Sequence, residues 1–211
     1  MRALALGGIA GPAVFVLVVL VAAAIRPGYR HAAHMISELG AAGTPNAALM
    51  NFAGFIPAGL MLTGFGIALA AVLPRRRLTR AAALMVTLFG IGIAAAGVFS
   101  CDPGCPQGIG SLHSRIHDRI APPTFLSLIA AAAILGVEFR RLAEWRHLSA
   151  YSFITSGVAL TCLVALAASL ESRAATGLWQ RLMLAALFSW CGTIGLQAYR
   201  LGSNRPGVID D

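Results

Sequence analysis

The composition of this 211-residue chain excludes an ordinary soluble domain, because 58% of its residues are hydrophobic and only 11% are charged, against about 25% charged in soluble domains. The net charge is +8, and arginine supplies all of the positive side-chain charge because the chain contains no lysine. A retinal Schiff base, which requires a lysine amine, is therefore excluded.

Six apolar stretches, each long enough to cross a membrane as a helix, take up most of the sequence. A membrane-spanning helix needs roughly 20 residues. In chain order the stretches cover residues 4–25, 48–73, 81–100, 119–139, 150–170 and 180–199. The first follows a basic residue, as a secretory signal does, but its length favours a retained helix. Too little chain remains for a soluble domain, so we predict one all-α domain over residues 1–211, a six-helix transmembrane bundle.

The arginines predict how the six helices are oriented. If the N-terminus is cytoplasmic, ten arginines fall on the cytoplasmic side and six on the outer side, which is the bias of the positive-inside rule. The cytoplasmic group is Arg2, Arg75, Arg76, Arg77, Arg80, Arg140, Arg141, Arg146, Arg200 and Arg205. The outer group is Arg26, Arg30, Arg115, Arg119, Arg173 and Arg181. We expect a multi-pass protein of the plasma membrane with both termini in the cytoplasm.

The expected partners are membrane lipids and a lipid or small apolar ligand. Nucleic acid is not an expected partner, because no water-exposed basic module remains to bind it. The sequence gives no indication of an oligomeric state.

This orientation gathers most of the ionisable residues that are not arginine on the outer side, in loops at about residues 26–47, 101–118 and 171–179. Four of the five histidines and four of the eight carboxylates lie there. They are His31, His34, His113, His117, Glu38, Asp102, Asp118 and Glu171. We therefore look for the functional site on the outer face.

Two cysteines, Cys101 and Cys105, flank a turn that Pro103 and Gly104 impose directly after the third span. The outer side of the membrane permits oxidation, so a small disulfide is one interpretation. Two free thiols are the other. Cys162 and Cys191 lie in the middle of spans and are expected to act as small packing residues.

His113 and His117 lie one helical turn apart if the fourth helix begins near Leu112. Two imidazoles with a carboxylate such as Asp102 or Asp118 would make a zinc site with an open water position, and His34 is a further candidate ligand. In the alternative interpretation, the histidine pair binds loop carbonyls or caps the helix. A haem would need two facing histidines, such as His34 and His117.

The remaining outer candidates are Ser37 and the last hairpin. Ser37 could act as a nucleophile with a histidine base or could cap a turn. Glu171 and Arg181 flank a short turn, and we expect an ion pair between them because a charge near lipid usually has a partner.

Four motifs together resemble a group of bacterial and archaeal integral membrane proteins, the family named domain of unknown function 998. The motifs are Ile36-Ser37-Glu38-Leu39, Phe99-x-x-Asp102, His113-x-x-x-His117-Asp118 and Gly177-Leu178-x-Gln180-Arg181. The resemblance implies the architecture and no established activity. Residues that recur in the family would correspond to Ser37, Asp102, His117, Asp118 and Arg181, which form the candidate catalytic set.

The residue types are also loosely similar to those of the ceramidase and progestin-and-adipoQ receptor superfamily of zinc-dependent lipid amide hydrolases. That similarity is one of analogy, because those proteins have seven spans and carry the histidine pair in the last one.

Two functions follow from these features. The first is a metal-assisted hydrolase of a lipid or lipid-linked substrate at the outer face. The second is a small-molecule receptor, transporter or partner subunit that uses the same outer-face site without catalysis.

Overall fold

The computed structural model describes residues 2–203, and this part of the chain contains six helices long and apolar enough to cross a membrane. They are α1 Gly7–Ala24, α2 Leu49–Val72, α3 Arg77–Val98, α4 Leu112–Phe139, α5 Ala143–Ala168 and α6 Thr176–Gly202. A short helical turn, Arg2–Ala5, precedes α1. The six-helix, all-α prediction is confirmed. Arg205, which entered the arginine count, lies outside the described residues.

The helix α4 begins seven residues before the predicted span at 119, because hydropathy detects only the apolar part of a helix. Its first turns are polar and begin at a cap formed by Ser111, whose side-chain oxygen accepts a hydrogen bond from Ser114 N at 3.2 Å. Such a cap satisfies one of the free N–H groups at a helix start. As a result, His113, His117 and Asp118 all lie on the helix and not in the preceding loop.

The six helices form a closed antiparallel ring. Each helix packs against the next one along the chain, and α6 returns to pack against α1. Close packing between α2 and α3 depends on glycine. A Cβ atom added at Gly90 would lie only 2.3 Å from Thr63 N, and one at Gly59 only 2.3 Å from Ala94 N. In lipid, such close backbone approach is a main source of helix association, since lipid tails are as apolar as the side chains.

The ring has two ends with different chemistry. The long-loop end consists of residues 25–48, 99–111 and 169–175, and the arginine-rich end consists of residues 73–76 and 140–142. At the arginine-rich end, Arg76 Nη1 lies 3.4 Å from Oε2 of the buried Glu138. Between the two ends, Phe15 contacts Phe55 and Phe188 edge-to-face, with ring centroids 5.3 and 5.5 Å apart. These rings link α1, α2 and α6 at the centre of the bundle.

We predict that Gly90→Ala lowers the free energy of unfolding by about 1–3 kcal/mol, because the added methyl group forces α2 and α3 apart. Thermal denaturation of the purified protein in detergent measures the effect. Gly157→Ala is the matched control, because a Cβ at Gly157 has no neighbour within 4 Å. An exposed glycine inside a helix is unfavourable by roughly 0.5–1 kcal/mol relative to alanine, so the control should be neutral or stabilising.

Candidate functional site

The side chain of Arg181, near the start of α6, binds backbone carbonyl groups of the first loop. Its Nη1 donates hydrogen bonds to the carbonyl oxygens of His31, His34 and Gly177 at 2.6, 3.0 and 2.9 Å. Its Nη2 donates to Tyr29 Oη at 2.6 Å, and burial raises the pKa of Tyr29. The predicted ion pair with Glu171 is wrong, since no salt bridge joins the two among residues 2–203. Three acceptors from the first loop and the Gly177 carbonyl of its own helix already occupy the guanidinium.

Gln180 completes the contact between α6 and the first loop. Its Oε1 accepts a hydrogen bond from Ile36 N at 2.7 Å, and Leu178 N donates to the Ala32 carbonyl at 2.9 Å. The first turn of α6 thus supplies both side-chain and backbone partners. Sequence reasoning did not single out Gln180 as a site residue, although it belongs to the Gly177-Leu178-x-Gln180-Arg181 motif.

The cysteines of the second long loop form a disulfide between Cys101 and Cys105, and both are buried. Cys105 Sγ lies 3.6 Å from Ser37 Oγ, and Cys101 Sγ lies 3.6 Å from the Ser37 carbonyl oxygen. The Ser37 hydroxyl therefore faces sulfur. Among the described residues no histidine forms a hydrogen bond with Ser37, so the base that a serine nucleophile needs is not in place.

Arg173 connects the three loops of the long-loop end. Its Nη1 lies 3.5 Å from Glu38 Oε1 and donates to the Gly104 carbonyl at 2.7 Å, while its Nη2 donates to the Cys105 carbonyl at 3.0 Å. Glu38 is buried, and its Oε1 also accepts a hydrogen bond from Met35 N at 2.9 Å. A buried carboxylate requires partners of this kind. Sequence reasoning placed Arg173 on the outer side but assigned it no role.

Asp102 and Asp118 both organise the second long loop. Asp102 accepts hydrogen bonds from Ser111 N at 2.6 Å and from Ser111 Oγ at 2.8 Å, and these bonds lower the pKa of its carboxyl group. Asp118 Oδ2 accepts one from Gly108 N at 2.7 Å. Each carboxylate pairs with backbone N–H groups that would otherwise lack a partner. The contacts of Asp102 are therefore those of a residue that shapes a turn.

The two histidines at the start of α4 contact the end of α3 from one side. His117 is buried, and its Nδ1 donates a hydrogen bond to the Phe99 carbonyl oxygen at 2.9 Å. The ring of His113 packs on the Phe99 ring, with centroids 5.4 Å apart. Binding to a loop carbonyl is the alternative that the sequence left open for this pair.

The four predicted zinc ligands, His34, His113, His117 and Asp102, do not form a site. Within residues 2–203 no group of three or more His, Cys, Asp or Glu side chains could hold a metal ion. Zinc needs its ligand atoms to converge at about 2.0–2.3 Å from one point. Here His34 Nδ1 accepts a hydrogen bond from Arg30 N at 3.0 Å, and Asp102 and His117 are engaged with different loop atoms. In this part of the chain, the four side chains therefore have separate partners and do not converge on one point.

A cavity of about 230 Å³ lies inside the ring, below the long-loop end. All six helices contribute to its wall, and the first and second long loops cover it through Met35, Ile36 and Cys105. Most of the lining is apolar. The polar lining residues are Ser37, Gln107, His117, Asp118, Thr124 and Gln180. Of the candidate catalytic set, the cavity thus brings together Ser37, His117 and Asp118, whereas Asp102 and Arg181 do not line it.

The fold and this cavity define a polytopic α-helical membrane protein with a loop-covered internal chamber. A family model described as protein of unknown function (DUF998) matches residues 9–197. The match spans all but the outermost parts of the six-helix ring, so the chain belongs to this family, and the predicted resemblance is confirmed. No curated protein and no solved structure matches the chain.

We predict that protein purified without reductant contains the Cys101–Cys105 disulfide. After unfolding, it should take up an alkylating reagent only at its free cysteines, Cys162 and Cys191, and at all 4 cysteines after reduction. Intact mass spectrometry distinguishes the two. The double change Cys101→Ser and Cys105→Ser should lower stability by about 2 kcal/mol, because the closed loop restricts the unfolded chain. Full alkylation before reduction would contradict the assignment.

Proposed function

We propose that this protein binds an amphipathic, lipid-like small molecule in the central cavity and acts as a receptor, carrier or partner subunit in the membrane. The observation that carries the proposal is the cavity itself, which is lined by all six helices and has most of its polar groups near the loops. Mostly apolar pockets with a few polar groups are typical of small-molecule sites.

Five of the six polar lining residues belong to the loops and to the helix starts next to them, whereas Thr124 lies deeper in α4 and donates its hydroxyl hydrogen bond to the Ile120 carbonyl at 2.7 Å. Ser37 and Gln107 come from the two covering loops, His117 and Asp118 from the first turns of α4, and Gln180 from the first turn of α6. The deeper lining consists of side chains such as Phe15, Phe55 and Leu184. An amphipathic ligand would therefore place its polar head near the loops and its apolar tail toward the bundle centre.

The contact between α4 and α5 offers a ligand a route from the membrane into the cavity. Pro122 of α4 and Ala167 of α5 line the cavity and are also exposed. A cavity wall that includes exposed residues of two adjacent helices gives a lipid molecule a lateral way in. This geometry suits a ligand that is dissolved in the bilayer.

The contacts of the candidate catalytic residues favour binding over the hydrolase. Ser37 faces the disulfide, Asp102 is bound to Ser111, and Arg181 is bound to the first loop. A hydrolytic reaction needs an activated nucleophile together with a base or a metal-bound water. We therefore propose the second of the two functions that the sequence suggested.

We further propose that the protein lies in the plasma membrane with both termini in the cytoplasm and the long-loop end outside. Two independent features support this orientation. The arginines are concentrated at the other end of the bundle, as the positive-inside rule requires. The disulfide lies at the long-loop end, and disulfides persist in oxidising compartments such as the periplasm.

To test the binding proposal, a medium-chain alcohol that carries a photoreactive diazirine in its chain is crosslinked to the protein in phospholipid nanodiscs. We expect saturable labelling of peptides from α4 and α5 that line the cavity. Ala121→Phe places a large side chain in the cavity and should reduce labelling about tenfold. This reduction corresponds to a loss of about 1.4 kcal/mol in binding free energy. Ala71→Phe, on an exposed position of α2 outside the cavity, is the control. Equal labelling in both variants would overturn the proposal.

To test the orientation, single cysteines are introduced at Gly28 and at Arg141 in a variant whose four native cysteines are replaced by serine. Gly28 lies in an open turn of the long-loop end, and Arg141 is exposed at the arginine-rich end. We expect a membrane-impermeant maleimide to label the first variant in intact cells and the second only after lysis. The reverse pattern would show the opposite orientation.

A further inference from the structure

We infer that the cavity selects lipid alcohols, that is, amphipathic molecules whose head is an uncharged hydroxyl group and not a phosphate or a quaternary amine. This inference rests on the proposed binding function and specifies the chemistry of its ligand. It follows from which charges line the cavity and which do not.

Within residues 2–203, no arginine lines the cavity. Of the six arginines near the long-loop end, Arg26, Arg173 and Arg181 bind backbone carbonyls of the loops. The other three are exposed on the loop and helix surfaces, and none of the six is part of the cavity lining. Sites for phosphate use arginine or lysine, whose charge-assisted hydrogen bonds offset the loss of hydration. An anionic head would enter this cavity without that compensation.

Among the described residues, the one acidic group in the lining is the carboxylate of Asp118. Its Oδ2 accepts a hydrogen bond from Gly108 N at 2.7 Å, which holds it at the head end of the cavity. A carboxylate accepts up to four hydrogen bonds, so Asp118 has acceptor capacity left for a hydroxyl donor. The same negative charge repels a phosphate placed beside it.

Further acceptor capacity comes from the break in the backbone bonding of α4. Pro122 lies inside this helix and lines the cavity. Proline has no N–H and cannot donate the helical hydrogen bond to the carbonyl four residues earlier, which here is that of Asp118. In a membrane, a carbonyl without its helical partner needs another donor. A ligand hydroxyl can serve as that donor.

A quaternary amine fits less well than an alcohol for a different reason. The Asp118 carboxylate attracts its positive charge, but the amine carries no N–H group, so it offers no hydrogen bond to Asp118 or to its carbonyl. It must also be removed from water to enter an otherwise apolar chamber, which is costly for any charge. A hydroxyl group loses little hydration and supplies one donor and two acceptors, which also match the Ser37 hydroxyl and the side-chain amides of Gln107 and Gln180.

The test uses competition against the photoreactive alcohol in nanodiscs. The competitors share one chain and differ only in the head: decanol, decyl phosphate and decyltrimethylammonium. We expect decanol to displace the probe at a free concentration at least about tenfold below that of either charged analogue, a difference of about 1.4 kcal/mol. Decyl phosphate or decyltrimethylammonium that competes as well as decanol would overturn the inference.

Two variants separate the head preference from the binding itself. Asp118→Asn keeps an oxygen acceptor for Gly108 N and removes the charge, so the gap between decanol and decyl phosphate should narrow severalfold. Glu144→Gln removes an exposed carboxylate at the other end of the bundle and should leave the gap unchanged. An unchanged gap in Asp118→Asn would count against the role of Asp118, and if this variant does not fold, the wild-type series decides alone.

The labelling and competition experiments distinguish failure of the binding proposal from failure of the alcohol preference. If Ala121→Phe labels as strongly as wild type, the cavity is not the binding site and the proposed function fails with the inference. If Ala121→Phe loses labelling but all three heads compete equally, the binding proposal stands and only the preference for an alcohol is wrong.

Discussion

The hydrogen bonds between the first turns of α6 and the first long loop are the interaction on which the site depends. The loop between α1 and α2 has little regular structure, so its backbone groups need partners that a helix would supply internally. Arg181 and Gln180 supply them from a neighbouring helix. This contact brings Met35, Ile36 and Ser37 over the cavity. Without it, the cavity would be open at the long-loop end.

The second long loop is built on a different principle, because it is bound mostly by its own residues. The disulfide closes its first turn, Asp102 and Ser111 close the next one, and Asp118 holds the segment between them. Arg173 then joins this rigid loop to Glu38 of the first. Most residues of the candidate catalytic set thus bind the backbone of the two long loops and hold these loops in place over the cavity. Serine, aspartate, histidine and arginine side chains suit both catalysis and the binding of loop backbone, since the groups that catalyse reactions also form strong hydrogen bonds to the backbone.

The sequence predicted the number of helices and the helical placement of His113 and His117, because hydrophobic length and residue spacing are local properties. The partners of Arg181 could not be predicted in the same way. A guanidinium that binds carbonyl oxygens leaves no trace in the sequence, since every residue has a carbonyl, whereas proximity along the chain favours an ion pair with Glu171. The cavity could not be predicted from the sequence either, because the helix faces toward a cavity, a neighbouring helix and lipid are all apolar.

The closed ring has a consequence for how the protein is made. The helix α6 leaves the ribosome after the other five, yet it completes the ring against α1 and carries Thr176, Gln180 and Arg181, whose side chains bind the first loop. A partly synthesised chain with five inserted helices therefore has neither an enclosed chamber nor a fixed cover. Assembly of the site is therefore coupled to insertion of α6, and a chain that lacks this helix exposes the cavity wall to lipid.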